Sequence, residues 1–327
     1  MEREEAFDLI MAKITEANWH WLSYHFLPYK QGCEHFLAAA IVDSLLQIET
    51  CIPGFTEEFS TRLASLSGRE KFLPHYEQII QLLSELYVIR HLVLSCPQGS
   101  EFIHEPKAEG SEKNPEVGVT TQNKRLFFEV KCRQYIEHHN NRGSAAIEIP
   151  SRMDGILDLA NSIKIEEETI VLPRDNGIKD FLISAEAKFS AFKKEDPSVL
   201  CILVIAWDDF AYEPISSLLN HASGLLTERS FYKENDSAVQ FNNIDGILIV
   251  RLSHQLVRAT RDELPVDGLR HPLDWGRKDE VLPKAFIPVS ELTDKTEKYL
   301  CDLLEAHHIK DLQHVADYRP QELVFHV

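Results

Sequence analysis

Two short stretches carry residue types that could do chemistry together: Pro115-Glu116 and, after twelve intervening residues, Glu129-Val130-Lys131. Two carboxylates held side by side repel each other unless something offsets their charge. A hard divalent cation such as Mg²⁺ does so, taking oxygen ligands from one or two carboxylates and keeping several waters. An amine at Lys131 could hold or deprotonate a water next to that metal. The chemistry in view is water activation by a metal with a lysine beside it.

The elements that must position these groups read as a β-hairpin. Glu116–Thr121 and Lys124–Cys132 alternate as strands, and Gln122-Asn123 between them is a polar pair in which Asn tolerates positive φ. With that pair as the loop, Thr121 faces Lys124, Val119 faces Leu126 and Val117 faces Phe128. These apolar pairs share a core face with Val130 and Cys132. The other face carries Glu116, Gly118, Thr120, Phe127, Glu129, Lys131 and Arg133, and Glu116 lies opposite Glu129. A three-residue loop would slip the register by one and send the two acids to opposite faces. The rival reading keeps the register but makes this face wet, with Glu and Lys as an ordinary surface ladder.

The Pro-Glu…Glu-x-Lys pattern resembles the signature of the PD-(D/E)xK nuclease superfamily, whose core is the restriction-endonuclease-like fold. The context agrees: the hairpin follows a helix and a short strand and precedes helix and strand, so the resemblance covers about Tyr76–Ser253. It implies that Glu116 and Glu129 bind the metal with the Val130 backbone carbonyl, and that Lys131 is the catalytic lysine. One departure is Glu116 itself, where the family's first acid is usually Asp; the extra methylene lengthens that arm. Many members add an acid from the preceding helix. At about 100° per residue, Glu85 falls at the edge of an apolar stripe beside Leu82, Ile89 and Leu92, whereas Glu77 points away. A Gln or Lys on the following helix is also common, and Lys188 within SAEAKFSAF occupies that place; Gln134 follows the motif too closely. Arg133 and Lys188 are the candidates for contacting substrate. The implied reaction is phosphodiester hydrolysis with Mg²⁺ or Mn²⁺, on DNA in preference to RNA, as in restriction or anti-phage defence effectors.

The whole chain sets the limits. Its 327 residues carry 34 Lys+Arg and 52 Asp+Glu, a net charge of −18, which opposes broad nonspecific attraction to nucleic acid. Between Lys107 and Arg142 seven Lys/Arg outnumber five Glu, so the hairpin region is locally positive. Phosphate-loop, dinucleotide, nucleophile-elbow and HExxH motifs are absent from the sequence. His138-His139 and His307-His308 with His314 read as solvated, and Trp207-Asp208-Asp209 as the end of a buried strand. Cys33, Cys51, Cys96, Cys132, Cys201 and Cys301 form no CxxC pair and read as reduced cytosolic thiols.

The expected class is α/β, with a restriction-endonuclease-like core and a mixed central sheet flanked by helices. Three parts are expected: a helical region over residues 1–70, a nuclease-like core over 71–255, and a loop and helix region over 256–327. Helices are expected at His75–Leu94, from a capping box at Ser151 and Asp154 to Lys164, at Ile178–Lys194, Ile215–Thr227 and Glu291–His307. Buried strands are expected at Val199–Trp207 and Ile244–Leu252, after a half-exposed first meander. The terminal helical regions are expected to recognise substrate or build a homo-oligomer; membrane contact is not expected, and a cytoplasmic location is. Two rivals remain: a catalytically inactive restriction-endonuclease-like module that binds nucleic acid or protein, and an unrelated α/β interaction protein.

Overall fold

The computed structural model describes all residues except 17–19, 67–71, 144–146, 150–151, 153–154, 163, 167–168, 313–323 and 326–327. The chain begins with helices α1 (Arg3–Glu16), α2 (Ser23–Phe26), α3 (Phe36–Glu49) and α4 (Phe55–Ser65). The His35 side chain caps α3 by accepting the Leu37 N–H at 3.1 Å, and a turn at Pro53-Gly54 separates α3 from α4. Helix α5 (Leu73–Ser95) has Pro74 in its first turn, where the missing N–H costs nothing. It leads into β1 (Glu101–His104), β2 (Val117–Thr120) and β3 (Arg125–Cys132).

After β3 come α6 (Ile136–Gly143), β4 (Ile147–Glu148), α7 (Ile156–Ser162), β5 (Ile170–Val171) and the long α8 (Asp175–Glu195). Then follow β6 (Leu200–Trp207), α9 (Tyr212–Leu219), the small hairpin β7 (Lys233–Glu234) and β8 (Ser237–Ala238), and β9 (Gly246–Arg251). The chain continues through α10 (Ser253–Thr260), β10 (Ala285–Pro288), α11 (Asp294–Leu303), β11 (His307–His308) and β12 (Val324–Phe325).

Seven strands form one mixed sheet in the order β1-β2-β3-β6-β9-β10-β11. The first three are antiparallel, β3-β6-β9 are parallel, β10 is antiparallel to β9, and β11 is parallel to β10. A second sheet joins β12, β4 and β5. The fold is therefore α/β, with helices on both faces of the main sheet. On one face α1, α3, α4, α5 and α10 share a core with Val117, Val119, Leu126, Phe128 and Val130. On the other, Ile178, Leu182, Ala185 and Phe189 of α8 pack on Phe127, Cys201, Leu203 and Ile205. No helix among the described residues is long and apolar enough to cross a membrane. All six cysteines are free.

Several expectations are corrected. The helix expected over Ile215–Thr227 stops at Leu219, because Asn220 takes an extended backbone (ψ 127°) and its carbonyl accepts the Gly224 N–H in a tight turn. The region expected over 256–327 as loop and helix also contains a strand, since Ala285–Pro288 pairs with β9. The last helix ends at Leu303, and His307-His308 form an edge strand, with His308 3.1 Å from Glu297. His138 is not solvated: burial, with Arg174 and Arg142 adding to it, pushes its pKa down to about 3. Ser151, Asp154 and His314 lie outside the described residues.

Candidate metal and phosphate site

The hairpin register is the one that the two-residue turn dictates: Val117 pairs with Phe128, Gly118 with Phe127, Val119 with Leu126 and Thr120 with Arg125. Thr121 fastens the turn, its N–H donating to the Lys124 carbonyl at 2.8 Å. At the other end the ladder stops at Val117, and the Glu116 N–H donates to the Phe128 carbonyl at 3.0 Å. Glu116 and Glu129 thus leave neighbouring strands on one face.

That face is not half-exposed, which corrects the expectation of a wet meander. Glu129 is 0% exposed and Glu116 8%, because α8 lies across them. From α8 the Lys188 ammonium donates to Glu129 Oε2 at 2.8 Å and stands 2.8 Å from Oε1 and 3.6 Å from Glu116 Oε1. It bridges the two acids. Lys131, two residues along β3, reaches Glu129 Oε1 at 2.7 Å. Both ammonium groups thus converge on Glu129 Oε1, and a metal ion at this acid would replace part of the charge they supply.

Glu85 joins from α5. Arg62 of α4 donates to its Oε2 at 2.8 Å and also stands 3.6 Å from Glu105. The electrostatics tie the group together. Burial pushes the Glu116 pKa up to about 8, and the charges of Glu85 and Glu129 raise it further than Lys188 and Arg62 can lower it. Glu85 is likewise raised, by burial first and against the pull of Arg62. Burial opposes the charge on Lys188, but Glu129 and Glu116 outweigh it and hold the ammonium above its usual range. Three acids and three cations from four elements and the segment before β2 therefore meet in a water-poor space. Such a space strengthens every charge–charge interaction.

Of the residues singled out from the sequence, Glu85, Glu116, Glu129, Lys131 and Lys188 come together. The Val130 side chain is in the core on the opposite face, and its carbonyl lies between the two functional residues of β3. Arg133 does not join them. Its guanidinium lies over Gly177 at the start of α8, where a Cβ would come within 2.5 Å of Nη1. Glu77 does not point away: its carboxylate accepts the Tyr135 and Ile136 N–H groups at 3.1 and 2.9 Å and so caps α6. Trp207-Asp208-Asp209 does end a buried strand, and Asp208 is spent on Arg174 at 2.6 Å, which also binds Glu213. Arg62 went unnoticed in the sequence, because its partner lies 23 residues further on, in another helix.

A divalent ion would find oxygen donors in Glu116 and Glu129, and its charge would favour the ionised form of Glu116 that burial opposes. Glu85, Glu116 and Glu129 do not bring three oxygens within 4.8 Å of one another. Among the described residues only two other triplets are that close, His25-His35-Asp262 and Glu58-His104-Glu105. Both are already engaged internally, His35 with Asp262 at 2.5 Å and His104 with Glu58 at 3.1 Å. No family model, curated protein or solved structure matches the chain.

Proposed function

We propose that this chain is a metal-dependent nuclease with a restriction-endonuclease-like core, hydrolysing phosphodiester bonds in nucleic acid, DNA in preference to RNA. The observation that carries the reading is the Lys188 ammonium 2.8 Å from Glu129 and 3.6 Å from Glu116. Two acids on facing strands are buried together around one cation, at a spot where hairpin packing alone calls for apolar residues. The order α5-β1-β2-β3, followed after the inserted α6, β4, α7 and β5 by α8 and β6, supports the same reading, as does the parallel pairing of β6 with β3.

Glu116 and Glu129 would hold Mg²⁺ or Mn²⁺ with the Val130 carbonyl, and the bound ion would supply Lewis-acid polarisation of a phosphate oxygen and a more acidic water. Lys131 would orient the attacking water through its Nζ, donating to it as the ammonium, and could accept the water's proton only after losing its own to solvent. Lys188, which lies against both acids, would present its ammonium to the negative charge growing on the phosphate oxygens. Glu85, held by Arg62, adds negative charge at the rim of the metal pocket. Positioned acid–base groups of this kind are each worth about 10²–10⁴-fold in rate.

Plasmid, single-stranded DNA and RNA incubated with Mg²⁺ or Mn²⁺, and with EDTA as control, test the proposal. Cleavage should need the metal and should vanish in Glu129→Ala and Lys131→Ala; cleavage that survives both excludes this site. A second reading, an inactive binding module, is favoured by one observation. Glu129 is wholly buried and already paired with two lysines of its own chain. A gel shift without cleavage, weakening as salt rises, selects it.

A further inference from the structure

At the far end of the β2–β3 hairpin from these acids, the turn itself forms one wall of an open cavity of about 480 Å³. Gln122, Asn123 and Lys124 line it from the turn, Gln98 from the loop before β1, and Lys295 and Tyr299 from α11. Its size lies within the range usual for small-molecule sites, roughly 300–1,000 Å³.

The lining chemistry is selective. It holds two lysines and no Asp or Glu, in a chain whose acids outnumber its bases 52 to 34. Neither lysine forms an ion pair with a carboxylate among the described residues. Lys124 Nζ makes only a long hydrogen bond to Thr296 Oγ1, 3.3 Å, and stands 5.9 Å from the centre of the Tyr299 ring. Lys295 is exposed at the mouth. Two uncompensated ammonium groups ask for an anion. The primary amides of Gln98, Gln122 and Asn123 each donate and accept hydrogen bonds, which suits the edge of a heterocycle better than a bare oxyanion. The Tyr299 ring supplies a face on which a base can stack.

We propose that this cavity binds a small phosphorylated ligand of the nucleotide class, with its phosphate at Lys124 and Lys295 and its base among the amides and Tyr299. The site is separate from the acids of Glu116 and Glu129. Lys124, just before β3, and Glu129 within it are five residues apart, roughly 17 Å along an extended chain. Its occupancy does not depend on metal there.

Calorimetric titration of the full chain in EDTA tests this, with ribonucleoside mono- and triphosphates, inorganic phosphate and a short single-stranded DNA as probes. Saturable binding of at least one nucleotide is expected, tighter than that of phosphate. Losing a charge-assisted hydrogen bond should weaken binding about tenfold or more in each of Lys124→Met and Lys295→Met. Lys30→Met, a remote exposed lysine, should bind as the unaltered chain does, and thermal melts should show all three variants folded. No saturable binding up to millimolar nucleotide overturns the proposal. So does binding that the two cavity variants leave unchanged, phosphate binding as tightly as every nucleotide, or binding of the DNA strand alone.

Discussion

Replacing Lys188 by Met isolates the charge balance around Glu129. The ammonium lies 2.8 Å from both oxygens of a carboxylate that is 0% exposed. At an effective dielectric constant of about 20, two unit charges at that distance attract by about 6 kcal/mol before desolvation is counted. Removing one partner of a buried pair typically costs about 3–5 kcal/mol. Lys131 remains 2.7 Å from Oε1, so the lower end applies. Urea unfolding in EDTA, followed by tryptophan fluorescence, should therefore show Lys188→Met less stable by about 3 kcal/mol. Millimolar Mg²⁺ should recover more than half of that loss, because a cation at Glu116 and Glu129 replaces the missing charge and binds only the folded chain. Equal stability of the two proteins in EDTA would refute the electrostatic account. A gap that Mg²⁺ leaves unchanged would refute the metal site.

Other expectations follow from buried groups elsewhere. His91, 5% exposed, has its pKa pushed down to about 3 by burial, with Nε2 bonded to the Leu303 carbonyl and its ring stacked on Trp275. The unfolded chain takes up that proton near pH 6.5 while the folded one does not. His91 thus contributes stability in full above 6.5 and loses it as pH falls towards 3, with about 2 kcal/mol gone at pH 5. Urea titrations across this range should show a shallower acid slope in His91→Gln. Gly246→Ala would drive a Cβ to 2.6 Å from the fully buried Phe286 ring, an overpacking that costs about 1–3 kcal/mol and is read as a lowered melting temperature. Glu77→Ala removes the acceptor for the N–H groups of Tyr135 and Ile136 and should lower stability by about 1–2 kcal/mol, measured in the same way.

The parts legible from sequence were those fixed by near neighbours. The hairpin register follows from a two-residue turn and strict alternation, and the structure keeps it from Val117–Phe128 to Thr120–Arg125. Helix α5 announces itself through a long apolar period between Pro74 and Cys96. What alternation cannot reveal is the cover: Glu129 and Lys131 look like a solvated ladder until α8 lies across them. Glu77 was misread because a helical wheel describes one helix, and the N–H groups it satisfies come from residues 58 and 59 positions later. The strands β10 and β11 are short, and each is fixed by a distant neighbour, β10 by pairing with β9 and β11 by pairing with β10. Arg62 meets Glu85 only through the packing of two helices.

The parallel pairing of β3 with β6 leaves its mark on synthesis. These neighbours in the sheet are separated in the chain by α6, α7 and α8, so β3 leaves the ribosome with one unpartnered edge and must wait for Leu200–Trp207 to emerge. An apolar strand exposed in that interval invites association with other nascent chains. Ionised side chains within such a strand act as gatekeepers against that outcome. Glu129 and Lys131, expensive to enclose once α8 has docked, place two such charged side chains in the strand that waits.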